Sequence, residues 1–192
     1  MSSEPTSGQG LAALVDLVTP GSGSPLDRLS RRVQQALGRV ADRPAGRGVV
    51  RLLRGNAWLG HPAHPLVIAV PVGAWVVSAW YDLRSATTAD AAQERVADAA
   101  LGAGVVGAGM AALTGVAQYL DTDGAARRET AVHAALNSLA LGCYTASWLL
   151  RTQGRRQPGR RTAAAGLALV TVSGYLGGDL AYRHGVGVQS PT

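Results

Sequence analysis

Lysine is absent from this chain of 192 residues, so all 18 of its basic residues are arginines. Cysteine occurs once, at Cys143, within an apolar run. One thiol excludes an intrachain disulfide framework and a thiolate-built metal site, and leaves a small buried apolar residue as the expected role. Also missing are a serine-centred elbow, a phosphate loop and paired carboxylates inside the apolar runs, so no enzyme motif is present and an ion pump is disfavoured. A secretory signal pattern is lacking too: the N-terminal residues are rich in Ser and Gly, with only the short run Leu11 to Val18 before Pro20. The first long apolar run is therefore expected to direct insertion by itself.

The most informative absence is of charge. Four apolar runs, residues 65–83, 96–120, 131–150 and 162–182, have no Asp, Glu or Arg in their central parts. Each has about the 20 residues needed to cross ~30 Å of hydrocarbon at 1.5 Å per residue. Trp80 and Tyr81, Tyr119, Trp148 and Tyr182 close the four runs in turn, as expected of amphipathic rings at headgroup depth. Backbone groups in lipid must pair within their own segment, which makes each run helical. The expected fold is all-α: a four-transmembrane-helix bundle over residues 60–188.

Two regions precede it. Residues 1–24 read as a flexible tail and residues 25–59 as an amphipathic, Arg-rich extension. Leu26, Leu29, Val33, Leu37 and Val40 recur at steps of three and four, with Arg28, Arg31, Arg32 and Arg39 between them. Such a helix suits an anionic membrane surface, or equally the end of the bundle or a partner subunit. Val49 to Leu59 reads as a second short apolar-basic segment. The net charge of +6 belongs to Arg beside apolar runs, which points to headgroups and away from nucleic acid. The lipid bilayer is the expected partner.

Gly102, Gly104 and Gly107 spell a GxGxxG. A dinucleotide site requires a strand before it and a helix opening at it, whereas these glycines fall inside a long apolar helix. Like Gly174 and Gly178 in the last run, they are expected to allow close helix approach, to another span or another chain; a homo-oligomer is a further expectation.

Alternating topology places all four histidines on one membrane face. His61 and His64 precede the first span, His133 opens the third and His184 follows the fourth. Tyr119, Asp121, Asp123, Asp179 and Tyr182 lie at the same level. His64 is expected to cap the first span, with Pro65 at its first helical position and Pro71 kinking it. Asn137 lies four residues beyond His133, on the same helix face. Three readings stay open for these histidines: a transition-metal or haem site, hydrogen bonding of helix ends, or proton coupling.

The stretch Gly55 to Trp75, with its His61-Pro62-Ala63-His64-Pro65 core, closely resembles the opening of an uncharacterised bacterial membrane-protein family, the domain of unknown function numbered 2231. The resemblance continues through Leu113-Thr114-Gly115, Arg127-Arg128, His133 to Asn137 and Gly174 to Val188. It implies four spans. Many relatives are fused to a Rieske iron–sulfur domain, which implies a link with electron transfer and a Rieske-type or other redox partner. The Cys/His pairs of such a cluster are missing from the sequence, so the chain is expected to correspond to the membrane part. It departs from the family pattern at Ala69, in place of Asp, and at Asp179, in place of His.

The expected function is a membrane module supporting electron transfer, with haem b as the cofactor considered. His64, His133, His184 and His61 are the candidate ligands and Asn137 their support. The alternative is a structural or interaction protein with no cofactor. Near-flanking Arg counts are almost equal on the two faces, so the Arg-rich extension decides the orientation: N-terminus, C-terminus and histidines are expected in the cytoplasm.

Overall fold

The computed structural model describes Val15, Leu17, Thr19 and residues 21–188; most of the expected tail over residues 1–24 lies outside the described residues. Every regular element among the described residues is helical. Three short helices, α1 (Pro25–Ala41), α2 (Pro44–Arg54) and α3 (Asn56–Leu59), lead into four long ones, α4 (His64–Thr88), α5 (Ala91–Tyr119), α6 (Gly124–Thr152) and α7 (Arg156–Tyr182).

The long helices form two antiparallel hairpins, α4 on α5 and α6 on α7. Helices α4, α5 and α7 are each long and apolar enough to cross a membrane. Helix α6 has the length, 29 residues, but it starts with Arg127, Arg128 and Glu129 and carries Asn137 and Ser138 midway. Helices α4 and α6 run past both apolar limits set by the sequence, and α5 and α7 past the first one only, because the backbone stays helical until a short connection breaks it.

The bundle has an inverted solvent pattern. Leu66, Val70, Val76, Val106, Met110, Leu113, Leu139 and Val172 are exposed, while Ser78, Thr114, Ser147 and Ser173 are buried. A water-soluble domain does not present so large an apolar surface; helices packed through small and hydroxyl side chains with aliphatic residues outside belong in lipid. The centre holds Trp75, Leu101 and Tyr144. Trp75 stacks on Tyr144 with ring centroids 3.8 Å apart. Gly104 and Gly107, from the GxGxxG, are buried against Trp75 and Pro71 of α4. A Cβ at Gly174 or Gly178 would meet no neighbouring atom, so that pair approaches no other helix of this chain.

Four details differ from the sequence reading. Helix α4 begins one residue early, with Ala63 as cap and His64 already helical; the His64 ring bonds α5 and leaves its own helix end uncapped. Tyr119 is 7% exposed and so is no headgroup-belt residue: α1 covers it, and its hydroxyl donates to the Ser30 carbonyl at 2.7 Å. The segment from Val49 to Leu59 is broken at Gly55, whose φ is 85°, where the chain turns back against Ala63. Finally, α1 grips the bundle with its polar edge. Ser24 caps it through the Asp27 amide, and the fully buried Asp27 accepts from Gly23 N and from Arg127 at the start of α6, at 2.8 and 2.9 Å. Gln34 donates to the carbonyls of Tyr119 and Thr122, both at 2.7 Å. Leu29, Val33 and Val40 stay exposed while Leu26 and Leu37 are half-buried, so docking on the bundle end covers only part of the apolar stripe.

Candidate functional site

Two of the four histidines point into the bundle, and each is seated within its own hairpin. His64, at the start of α4, has Nδ1 2.9 Å from Thr114 Oγ1 of α5. The Thr114 hydroxyl donates to the Ala111 carbonyl at 2.9 Å. Its one proton is thereby committed, so His64 Nδ1–H is the donor in the first contact. His133, in α6, has Nδ1 2.9 Å from the Ser173 carbonyl oxygen of α7. A carbonyl only accepts, so this Nδ1 also carries the proton. Asn137 Nδ2 lies 2.9 Å from His133 Nε2, and its N–H donates to that lone pair. Both rings therefore carry a proton on Nδ1, and in His133 the Nε2 lone pair accepts from Asn137, a state fixed by hydrogen bonding of the other nitrogen.

Glycine makes both seats possible. A Cβ on Gly115 would come within 3.1 Å of His64 Cε1, and one on Gly177 within 3.1 Å of His133 Cε1. The imidazoles thus lie on bare backbone of the facing helix. Thr114, Gly115, Ser173 and Gly177 were not singled out from the sequence as site residues, although Leu113-Thr114-Gly115 and the run around Gly177 carried the resemblance. Their importance was visible as motif and unreadable as role, because a seat exists only once α5 and α7 are laid against α4 and α6.

The other two histidines are elsewhere. His61 is exposed, with Nδ1 3.2 Å from its neighbour's Pro62 carbonyl. His184 has Nε2 3.0 Å from a carboxylate oxygen of Glu129, which is almost fully buried. Asp179 completes this group, and ligating atoms of the three lie within 4.8 Å of one another. Arg183 also sits 3.0 Å from Asp179 and 3.8 Å from Glu129, so a guanidinium already pairs with these acids. His184 borders an open crevice of about 1430 Å³ between α1–α3 and the bundle end, which Arg47, Arg51 and Arg54 also line.

A model of predicted membrane proteins, DUF2231, matches residues 60–190. The chain belongs to the DUF2231 family. The match takes in both seats of the DUF2231 bundle and all four long helices, and excludes α1, α2 and α3. Comparison with curated proteins and with solved structures gives no match for this DUF2231 member.

At the opposite face of the DUF2231 bundle lies a charge network. Arg151 has a side chain 1% exposed. Its guanidinium forks onto Asp82 at 2.5 and 3.1 Å and reaches Asp98 at 3.0 Å. Arg156 binds Asp98 at 2.9 Å, and Arg160 binds Asp82 at 3.3 Å. Arg160 also lies 3.6 Å from Glu94. Three carboxylates from α4 and α5 face three guanidiniums from α6 and α7, which is formally neutral. Asp82 and Asp98 lie just inside the ends of their apolar runs, and Glu94, Arg151, Arg156 and Arg160 lie just beyond theirs.

Proposed function

We propose that this membrane protein is the bilayer-embedded module of an electron-transfer assembly, and that His64 and His133 hold its redox metal, either a transition-metal ion or a haem iron. The observation that carries the reading is the pair of Nδ1 hydrogen bonds to facing helices. A ligating histidine commonly gives its other N–H to a fixed acceptor, which orients the ring and raises its basicity. Here each Nδ1–H has such an acceptor, and neutral imidazole Nε2 is a donor suited to Fe, Cu or Zn. The donor set fits a metal centre. Asn137 would release His133 Nε2 when the metal enters. Bound there, the metal would supply one-electron chemistry; the protein supplies two oriented nitrogens and a dry apolar surround.

In this reading His184 belongs with Glu129, Asp179 and Arg183 in an ion cluster at the bundle end. Helix α6 is the fourth span, and the N-terminus, the C-terminus and the histidine face are cytoplasmic. A Rieske-type or other redox protein is the expected electron partner, meeting the chain on that face.

The test is an absorption spectrum and metal analysis of protein purified from cells supplied with haem precursor and trace metals. A Soret band or about one metal per chain that is lost in His133→Ala, with the variant still in the membrane, is the expected result. Absence of chromophore and metal would support the alternative, a membrane interaction protein without cofactor.

A further inference from the structure

A shift of 69 residues carries His64 to His133, Trp75 to Tyr144, Ser78 to Ser147 and Asp82 to Arg151. It thereby lays the inward seam of α4 onto that of α6, and takes buried Pro71 to buried Ala140. A shift of 62 residues does the same for the second helix of each hairpin, carrying Gly104 to Gly166, Ala111 to Ser173 and Gly115 to Gly177. Burial alone would be weak evidence, since any two amphipathic helices can be slid into register. The contacts are more demanding. Trp75 lies on Gly104, and Tyr144 on Gly166. His64 Cε1 faces Gly115 and His133 Cε1 faces Gly177, each at 3.1 Å from the position of a Cβ. The Nδ1–H of His133 ends on the carbonyl of Ser173, and that of His64 reaches Ala111, the matching residue, through the Thr114 hydroxyl.

The strongest sign is that corresponding residues meet each other. Trp75 stacks on Tyr144, and Asp82 pairs with Arg151. A residue touches its own counterpart only where a two-fold axis passes between them. Since α4 and α6 run in the same direction, that axis is parallel to the helices. We infer that the bundle is one helical hairpin used twice, α4–α5 and α6–α7, about a two-fold axis along the membrane normal, and that His64 and His133 are a single ligand position duplicated, so that one metal ion on the axis is held by both rings. The second half of this statement rests on the proposed function; the first does not. Asn137, which corresponds to Ile68, and the opposite charges of Asp82 and Arg151 are where the two copies diverged. The charge divergence turns a like-charge contact at the axis into an attraction.

Two measurements on the full-length Cys143→Ala protein in detergent separate the two halves. Spin labels on Val77→Cys with Val172→Cys, and on Ala146→Cys with Met110→Cys, probe symmetry-related distances between exposed positions. Equal distances, within the spread of label rotamers, are expected; clearly unequal distances overturn the duplication and the axial site together. Cu²⁺ is then added to unlabelled protein at one equivalent. Its electron paramagnetic resonance spectrum should carry the coupling of two equivalent nitrogens, lost equally in His64→Ala and His133→Ala and kept in His184→Ala. Equal label distances with copper coupling that survives either of the first two variants would overturn the shared ligand and leave the duplication standing. Equal distances with no bound copper, and no Soret band when hemin is added in its place, would overturn both the shared ligand and the metal reading on which it rests.

Discussion

The two ends of the bundle use polar residues in opposite ways. At one end Asp82, Glu94 and Asp98 meet Arg151, Arg156 and Arg160 in a neutral network tying all four long helices together. At the other end two imidazoles lie on glycine, each held through Nδ1 by the facing helix, with the neutral Asn137 amide at Nε2 of His133. A network with its charges matched has little left to offer a ligand. A ring held through Nδ1, with its lone pair on Nε2, does. The comparison separates what fixes the helices from what the helices position, and it can be broken from either side.

The largest effect is expected at the charged end. Arg151→Met leaves Asp82 and Asp98 without their best partner in a buried setting, and removing one member of a buried pair costs about 3–5 kcal/mol. A large fall in the thermal unfolding midpoint in detergent, or failure to accumulate in the membrane, should follow. A midpoint close to that of the unmodified protein would show that the network is dispensable. Next comes Gly104→Ala. Its Cβ would collide with the Trp75 indole at the centre of the bundle, and overpacking of this kind costs about 1–3 kcal/mol. Gly109→Ala, where a Cβ meets nothing, is the matched control.

At the histidine end the docked helix should respond to pH. The Asp27 carboxyl is held below the ordinary carboxylate range, first by the Gly23 backbone N–H and then, against the cost of burial, by Arg127 and Arg31. Its folded pKa lies below its unfolded one. Its contribution to docking is therefore complete above the unfolded value and is lost as pH falls through the folded value. A spin label on Ala36→Cys should stay immobile down through the ordinary carboxylate range and become mobile only below it. In the Asp27→Asn background it should be mobile at neutral pH. The smallest effect is expected from Arg54→Gln. Arg54 and Asp121 pair at 2.5 Å, but both are well exposed, and such a pair contributes less than about 1 kcal/mol. The unfolding midpoint should barely move.

Much of this was legible in the sequence. Uncharged runs gave the four long helices, three of them long and apolar enough to cross a membrane, and strict alternation of direction brought the histidines to one face. Asn137 was paired with His133 by helical spacing alone. What escaped depends on contacts between distant segments. Nothing local says that Tyr119 will be roofed by α1, since its position at the end of an apolar run is that of an interfacial ring. Nothing local says that His184 will find Glu129 while His64 and His133 find hydroxyl and carbonyl groups. The duplication was hidden because the two hairpins share contacts and not residue types: Trp answers to Tyr, Asp to Arg, Ala to Ser. A comparison of identities misses this, and a comparison of partners reveals it.

The division of labour between the two ends has one direct test. A ligand that binds only the folded state raises the unfolding midpoint in proportion to its occupancy. Hemin and, separately, Cu²⁺ are added to the purified protein in detergent, and the midpoint is followed for the unmodified chain, His64→Ala, His133→Ala and Arg156→Gln. The account predicts that at least one of the two raises the midpoint of the unmodified chain, that both histidine variants lose the rise, and that Arg156→Gln keeps it from a lower starting point. A rise that persists in both histidine variants, or no rise with either ligand, would contradict it.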